Sequence, residues 1–340
     1  MKDDFYLRPF NHSIKSNGFI KYSNADILKL RNNNTFVIKE SIEIKSVINK
    51  LVPQASFINY KNLKNRLQKI NNPFIPKILK KHKKPLIMGI LNITKDSFYD
   101  GGRYLEYKNA IKHAEKLIKE GADIIDIGGE STRPGSMAVN VKEEIKRIKP
   151  IIKELKKNNF LVSCDTRNST TMSMALDLGV DIINDVSGLN YDKNTLNILK
   201  NYKCLYVLMH SKETPTTMQN NPIYNNVACD IYNFFTKKLM LLKKMNISEN
   251  RVILDPGIGF GKTISHNYNI LRYLNILLDL GHPLMIGVSR KSLIKKLVKS
   301  NSLTPSILLA INAYSKGVSI LRVHDVEETK LAVNIFKKAN

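Results

Sequence analysis

The sequence predicts an α/β fold, a (β/α)8 TIM barrel with a small N-terminal appended region, and three observations carry that prediction. From residue 85 onward one phrase recurs eight times: a short apolar, β-branched run, a polar residue or glycine closing it, a loop, then a helical pattern. The runs are almost continuously apolar, as strands are when helices cover both faces of a parallel sheet. Eight such units fit the usual barrel size of about 250 residues. A doubly wound open sheet is the competing architecture, and the absence of a long break between similar units favours the barrel.

The first run is PLIMGILN (85–92), followed by the loop NITKDSFYDGG. Asp96, Ser97, Asp100 and a Gly-Gly pair make that loop too polar for a plain connection, so it is expected to close over substrates; a solvated turn is the other reading. In EYKNAIKHAEKLIKEGAD, Ala110, Ala114, Leu117 and Ile118 recur at helical spacing, and Gly121 stands where a C-cap glycine belongs. ADIIDIG (122–128) then runs into GGESTRPG. FLVSCDT (160–166), DIINDVS (181–187), LYVLMH (205–210), RVILDPG (251–257), PLMIGVS (283–289) and SILRVHD (319–325) complete the set.

Residues 1–84 lack this rhythm. They contain strand-like TFVIKESIEI (35–44), helix-like KNLKNRLQKI (61–70) and the linker-like NNPFIPKILKKHKKP. The expected division is 1–84, an appended region readable as a small α+β domain with no assignable function, and 85–340, the barrel. Disorder is the alternative for 1–84, weakened by the apolar content of its runs.

Composition excludes several classes. No run of about 18 apolar residues appears, so no membrane span is expected. The opening MKDDFYLRPF is acidic at once and lacks an apolar signal core, which favours a cytoplasmic protein. Cys164, Cys204 and Cys229 are odd in number without metal-type spacing, and read as buried reduced thiols. Of the net charge of +25, about half lies in residues 1–84, with 18 Lys+Arg against 5 Asp+Glu. Because the richness in Lys, Asn and Ile runs along the whole chain, a solvated lysine surface is expected rather than a nucleic-acid patch; anionic substrates are attracted either way.

VILDPGIGFGKT (252–263) nearly matches a phosphate-binding loop. Gly261-Lys262-Thr263 fit the pattern G-x-x-x-x-G-K-[ST], but Pro256 takes the place of its first glycine, and proline offers no N–H to a phosphate. The stretch is instead an apolar strand ending in Asp255 and a flexible turn.

Barrel active sites lie at the C-terminal ends of the strands. There the sequence places Asn92, GGESTRPG, Asp165, Asn184, His210, Asp255, Ser289-Arg290-Lys291, and Arg322 with His324. Singly, each is explained as a helix cap or an ion-paired surface residue. Their coincidence across eight strand ends is what points to a site. Asp165, Asn184, Asp255 and Lys291 can read the edge of a flat polar heterocycle, while Arg133, Arg322, His324 and the Thr132 hydroxyl make an anion cradle. A heterocycle bearing a phosphate or diphosphate satisfies both.

With GILNITKDSF, GGESTRPGS, SCDT, IINDVSGL, LMH, LDPGIGFGKT, SRKS and RVHDV in this order, the chain from about 85 to 335 resembles the dihydropteroate synthases of folate biosynthesis. The resemblance implies a pterin-binding catalytic barrel that joins 6-hydroxymethyl-7,8-dihydropterin diphosphate to 4-aminobenzoate by SN1-like displacement, with Mg2+ present, and a homodimer. Carried over by motif, Asp165, Asn184, Asp255 and Lys291 resemble the pterin-binding set. Asn92, Thr132, Arg133, Arg322 and His324 resemble the diphosphate end, with Asn92 also at Mg2+. Phe98, Arg133, Phe260, Lys291 and Ser292 resemble the aminobenzoate pocket; Asp100, Lys291, Arg322 and His324 are the implied catalytic residues. Two departures stand out: Lys95 replaces a usual proline, and SLTPSILLA lacks the arginine and Gly-Ser pair many members carry. A pterin-dependent methyltransferase barrel and a pterin-binding scaffold without activity are the competing readings.

Overall fold

A computed structural model describes residues 5–32, 34–49, 59–93, 103–131, 136, 139–212, 222–295, 298 and 301–340. The N-terminal part forms a three-stranded antiparallel sheet, β1 (Tyr6–Ile14), β2 (Ile20–Leu30) and β3 (Phe36–Glu43), followed by helices α1 (Ile44–Ile48), α2 (Tyr60–Asn71) and α3 (Lys77–Lys80). The predicted strand 35–44 and helix 61–70 thus correspond to β3 and α2. The linker-like stretch holds a surprise in α3, whose single turn is too short for a periodic signature and is held by burial of Leu79.

The barrel strands are β4 (Leu86–Asn92), β5 (Ile124–Gly128), β6 (Val162–Asp165), β7 (Ile182–Asp185), β8 (Leu205–Met209), β9 (Val252–Asp255), β10 (Met285–Ile286) and β11 (Ile320–Val323). Each of the eight predicted runs holds one. They pair in parallel in the order β10-β11-β4-β5-β6-β7-β8-β9, and a parallel bridge between Leu254 and Leu284 brings the two edges together. Between and after them lie α4 (Arg103–Lys119), α5 (Val141–Lys157), α6 (Ser169–Asp177), α7 (Thr195–Asn201), α8 (Val227–Lys244), α9 (Ile264–Arg272), α10 (Ser292–Lys295), α11 (Leu303–Ser315) and α12 (Val326–Ala339). The expected (β/α)8 barrel is the fold observed. Gly121, just past α4, has φ of 99°, the left-handed conformation a C-cap glycine supplies.

Side-chain alternation along the strands divides their residues between two environments. Outward positions such as Ile87, Ile125, Ile183 and Leu254 join the core beneath the helices. Inward positions near the strand starts, among them Leu86, Met88, Ile124, Ile182, Ile253 and Ile320, form a second cluster that Leu79 of α3 closes from below. Further along the same strands the inward positions turn polar. An apolar plug therefore supports a polar layer at the opposite mouth.

The N-terminal sheet and α2 lie against the barrel wall where a 3-10 segment, Leu274–Leu280, connects α9 to β10. Arg66 of α2 donates to buried Asp279 at 2.9 and 2.5 Å, and Asn275 donates to the Pro9 carbonyl at 2.7 Å. The Tyr314 hydroxyl donates to the Gly18 carbonyl at 2.8 Å. One apolar core runs through both parts. No helix among the described residues is long and apolar enough to cross a membrane.

Candidate active site

At the polar mouth the inward face of β11 carries Arg322, one layer beneath His324. Its Nε donates to Asp126 Oδ2 at 2.6 Å and its Nη2 to Asp165 Oδ2 at 2.7 Å. Asn184 on β7 donates its Nδ2 to the same Asp126 oxygen at 3.1 Å. The structure thereby brings Asp165, Asn184 and Arg322 together through Asp126. The amide orientation is the consequence: with Nδ2 turned to Asp126, Asn184 presents Oδ1 on its other side.

Asp126 Oδ1, Asp165 Oδ1 and Asn184 Oδ1 are buried and have no hydrogen-bond partner among the described residues. Such acceptors are costly unless a donor reaches them. A ligand rich in N–H groups meets that requirement. Gly128 opens space at this level, since a Cβ there would stand 3.4 Å from Asn92 Oδ1 and 3.5 Å from Asp165 Cβ.

Asp255 closes β9 on the far side. Its Oδ1 accepts from the Gly257 N–H at 2.7 Å, and Gly257 adopts φ of 68°. The following turn carries Phe260, whose ring lies 4.3 Å from Lys291 Nζ, a cation-π contact. Lys291 and Phe260 are half-buried, and Ser292, the first residue of α10, is exposed. His324 Nδ1 lies 3.1 Å from Ser289 Oγ, which also accepts from the His324 backbone N–H at 3.3 Å. Asn92 ends β4, half-buried at the rim.

Electrostatics follow from burial and these pairings. Burial raises Asp165 to about 7, opposed by Arg322 and Lys291 and reinforced by Asp126 and Glu144. Asp255 is raised by burial, against the Gly257 N–H and the charges of Lys291, Arg322 and Lys262. Arg322 is disfavoured as a cation by burial, but the Asp126 and Asp165 carboxylates outweigh that and hold it charged. Burial, then Arg322 and Arg290, push His324 down to about 3, so it is neutral at physiological pH.

Asp100, Phe98, Thr132 and Arg133, with Lys95, Asp96 and Ser97 of the expected lid, lie outside the described residues. Two residues escaped sequence reading. Asp126 carried a signal, a carboxylate inside an apolar run at the same parity as Gly128. Lys262 was absorbed into the phosphate-loop comparison, and its burial has no local signature. Among the described residues no group of three or more His, Cys, Asp or Glu side chains is placed to hold a metal ion. The single amide oxygen of Asn92 fits a cation held chiefly by phosphate oxygens and water.

A family profile described as pterin binding enzyme matches residues 88–324. The chain is 41% identical over 262 residues to a dihydropteroate synthase of Neisseria meningitidis serogroup C, covering 75% of this chain and 92% of that protein. It is similar to the solved Yersinia pestis dihydropteroate synthase with a sulfonamide drug, at 36% identity and a TM-score of 0.71, covering 75% of this chain and 94% of that one. Dihydropteroate synthase from Xanthomonas albilineans in complex with 7,8-dihydropteroate is 33% identical with a TM-score of 0.69, at 75% and 94% coverage.

Proposed function

The chain belongs to the pterin-binding enzymes and sits among the dihydropteroate synthases, and on that premise we propose that it joins 6-hydroxymethyl-7,8-dihydropterin diphosphate to 4-aminobenzoate, forming 7,8-dihydropteroate and pyrophosphate. The observation that carries this reading is the set of buried acceptors on Asp126, Asp165 and Asn184 that have no partner among the described residues, in a barrel mouth floored by Arg322. A dihydropterin edge is rich in N–H donors. Asp165, Asn184 and Asp255 accept from it, and Lys291 donates to its acceptors.

In the reaction the methylene C–O bond breaks and the diphosphate departs with the electron pair. The resulting pterin cation is captured by the lone pair of the aromatic amine, the new C–N bond forms, and the amine nitrogen loses a proton. Arg322 supplies positive charge beneath the departing group. Ser289 accepts from the His324 N–H, and with its hydroxyl donated to Nδ1 the neutral His324 ring would carry its proton on Nε2, available to a diphosphate oxygen. By motif, Thr132 and Arg133 are assigned to the same diphosphate. Phe260, Lys291 and Ser292 serve the aminobenzoate side, with Phe98 and Arg133 assigned to it by motif and Asp100 to the cation. Mg2+ neutralises diphosphate charge when bound, and Asn92 is the residue that would hold it together with substrate oxygens. Much of the rate comes from positioning two substrates, with no strong general base required.

Exposed Leu308 on α11 and Leu331 and Ile335 on α12 support a homodimer, read out by light scattering. The protein is expected to work in the cytoplasm and to bind sulfonamides as its Yersinia pestis relative does. The deciding measurement is pyrophosphate release by the full-length chain. Release requiring both substrates and Mg2+, with dihydropteroate formed in step, is expected. Folded protein that binds pterin and releases no pyrophosphate sinks the reading.

A further inference from the structure

Lys262, the lysine of the Gly-Lys-Thr sequence, does not reach outward as a phosphate-binding lysine does. It is 3% exposed. Its Nζ lies 2.8 Å from the Phe260 carbonyl, 3.0 Å from His210 Nδ1 and 3.2 Å from the His210 carbonyl. As an ammonium it offers three N–H donors to three acceptors, which oppose the burial that lowers Lys262 to about 7. When Nδ1 accepts from Lys262, the His210 ring proton sits on Nε2.

The two segments that Lys262 ties together are the end of β8 and the loop after β9. They are closely fitted. The His210 N–H donates to the Asp255 carbonyl at 2.9 Å, and a Cβ on Gly257 would stand 2.1 Å from the His210 carbonyl oxygen. On the outer side the Tyr224 hydroxyl donates to the Gly261 carbonyl at 2.8 Å, and the His210 ring meets Phe234 edge-on at 4.9 Å. Phe260 lies in the middle of this arrangement. Its N–H donates to the Gly257 carbonyl at 3.1 Å, its carbonyl is held by Lys262, and its ring carries the Lys291 ammonium at 4.3 Å.

We propose that Lys262 is a positioning residue for the 4-aminobenzoate side of the site, fixing the Phe260 ring beneath Lys291 by holding the Phe260 carbonyl against His210. The identity of the affected substrate rests on the dihydropteroate synthase reading; the packing it controls does not. Without the ammonium the Phe260 and His210 carbonyls lose their shared donor, and the Phe260 peptide is released from β8. Asp165, Asn184 and Asp126 are held by other bonds, and Asp255 keeps the Gly257 N–H on its carboxylate and the His210 N–H on its carbonyl, so on the pterin side only the Lys291 contact is exposed to the loss. Lys262 thus acts selectively, through Phe260.

The test uses full-length Lys262→Met, with Lys262→Gln, which retains an N–H donor, as the second variant should the first not fold. The ring current of Phe260 displaces the Lys291 ε-methylene resonance, identified by its loss in Lys291→Arg. That displacement should vanish in Lys262→Met and shrink in Lys262→Gln. In turnover, the KM for 4-aminobenzoate should rise about tenfold while that for the pterin diphosphate changes less than about twofold, an asymmetry a general loss of stability does not produce. Phe260→Leu should add little to Lys262→Met, since residues acting through one contact are not additive. A retained resonance displacement, an equal rise in both KM values, or full additivity with Phe260→Leu overturns the proposal. Absence of turnover in the unsubstituted chain would count against the enzymatic reading, while the resonance of Lys291 would still decide whether Lys262 holds Phe260.

Discussion

Arg322 donates to two carboxylates at once, and neither of them is solvated: Asp126 is 0% and Asp165 is 3% exposed. Three ionisable groups therefore share one low-dielectric space, and each sets the charge of the others. Asp165 is raised to about 7 by burial and by its like-charged neighbours Asp126 and Glu144. Its ionised form accepts N–H donors, so affinity for a dihydropterin should hold above pH 7 and fall as pH drops below it. In Asp126→Asn one repulsive charge is gone, and this acid limb should move to lower pH. Calorimetric titration of the pterin ligand across pH measures it; an unmoved limb, or one moved upward, refutes the coupling. Lys291 is half-buried and packs on Phe260, so Lys291→Ala should cost about 100-fold in turnover, in the range for removing one charged transition-state donor, and leave thermal melting nearly unchanged. Retained turnover in that variant would remove Lys291 from the proposed machinery.

The strand-to-helix loop after β9 shows what an element contributes beyond its side chains. Gly257 has φ of 68° and sits so close to the His210 carbonyl that a Cβ would meet it at 2.1 Å. Both the left-handed backbone and the steric fit require glycine there. Gly257→Ala should destabilise by about 3 kcal/mol or more, the range for strained special backbone positions, measured by urea unfolding. A loss under about 1 kcal/mol would mean that the loop yields easily. At the opposite end, α3 is one turn long and still closes the barrel, because Leu79 completes the inward apolar layer of Met88, Ile124 and Ile320. Leu79→Ala should cost about 2–5 kcal/mol with KM values unchanged, since a cavity at the floor leaves the polar layer in place.

Across the whole molecule, the N-terminal part and the barrel share a buried ion pair. Asp279 is 2% exposed, and Arg66 on α2 is the cation beside it at 2.5 Å. Removing one partner of such a pair leaves an uncompensated buried charge. Arg66→Met should therefore destabilise the entire chain by about 3–5 kcal/mol, and adding Asp279→Leu should restore much of that. Additive losses in the double variant would show that the pair is not the link between the parts. Residues 85–340 expressed alone should be poorly folded for the same reason, with Asp279 and the apolar segment Leu274–Leu280 uncovered.

The amino-acid sequence alone determined the barrel's eight strands, their order and the polar residues at their ends. Strand periodicity, β-branched runs and the residue that closes each run are local, and barrel geometry converts strand ends into one rim. That Asp165, Asn184, Asp255, Lys291, Arg322 and His324 stand at that rim was legible on that basis. What only the tertiary structure decided is which of them meet. Arg322 reaches Asp126 across 196 positions and Arg66 reaches Asp279 across 213, distances over which no sequence period carries information. The inward turn of Lys262, the plugging role of α3 and the strands β1 and β2 were hidden for a related reason. Each is stabilised by burial against residues distant in sequence, and burial exists only once the chain has closed on itself.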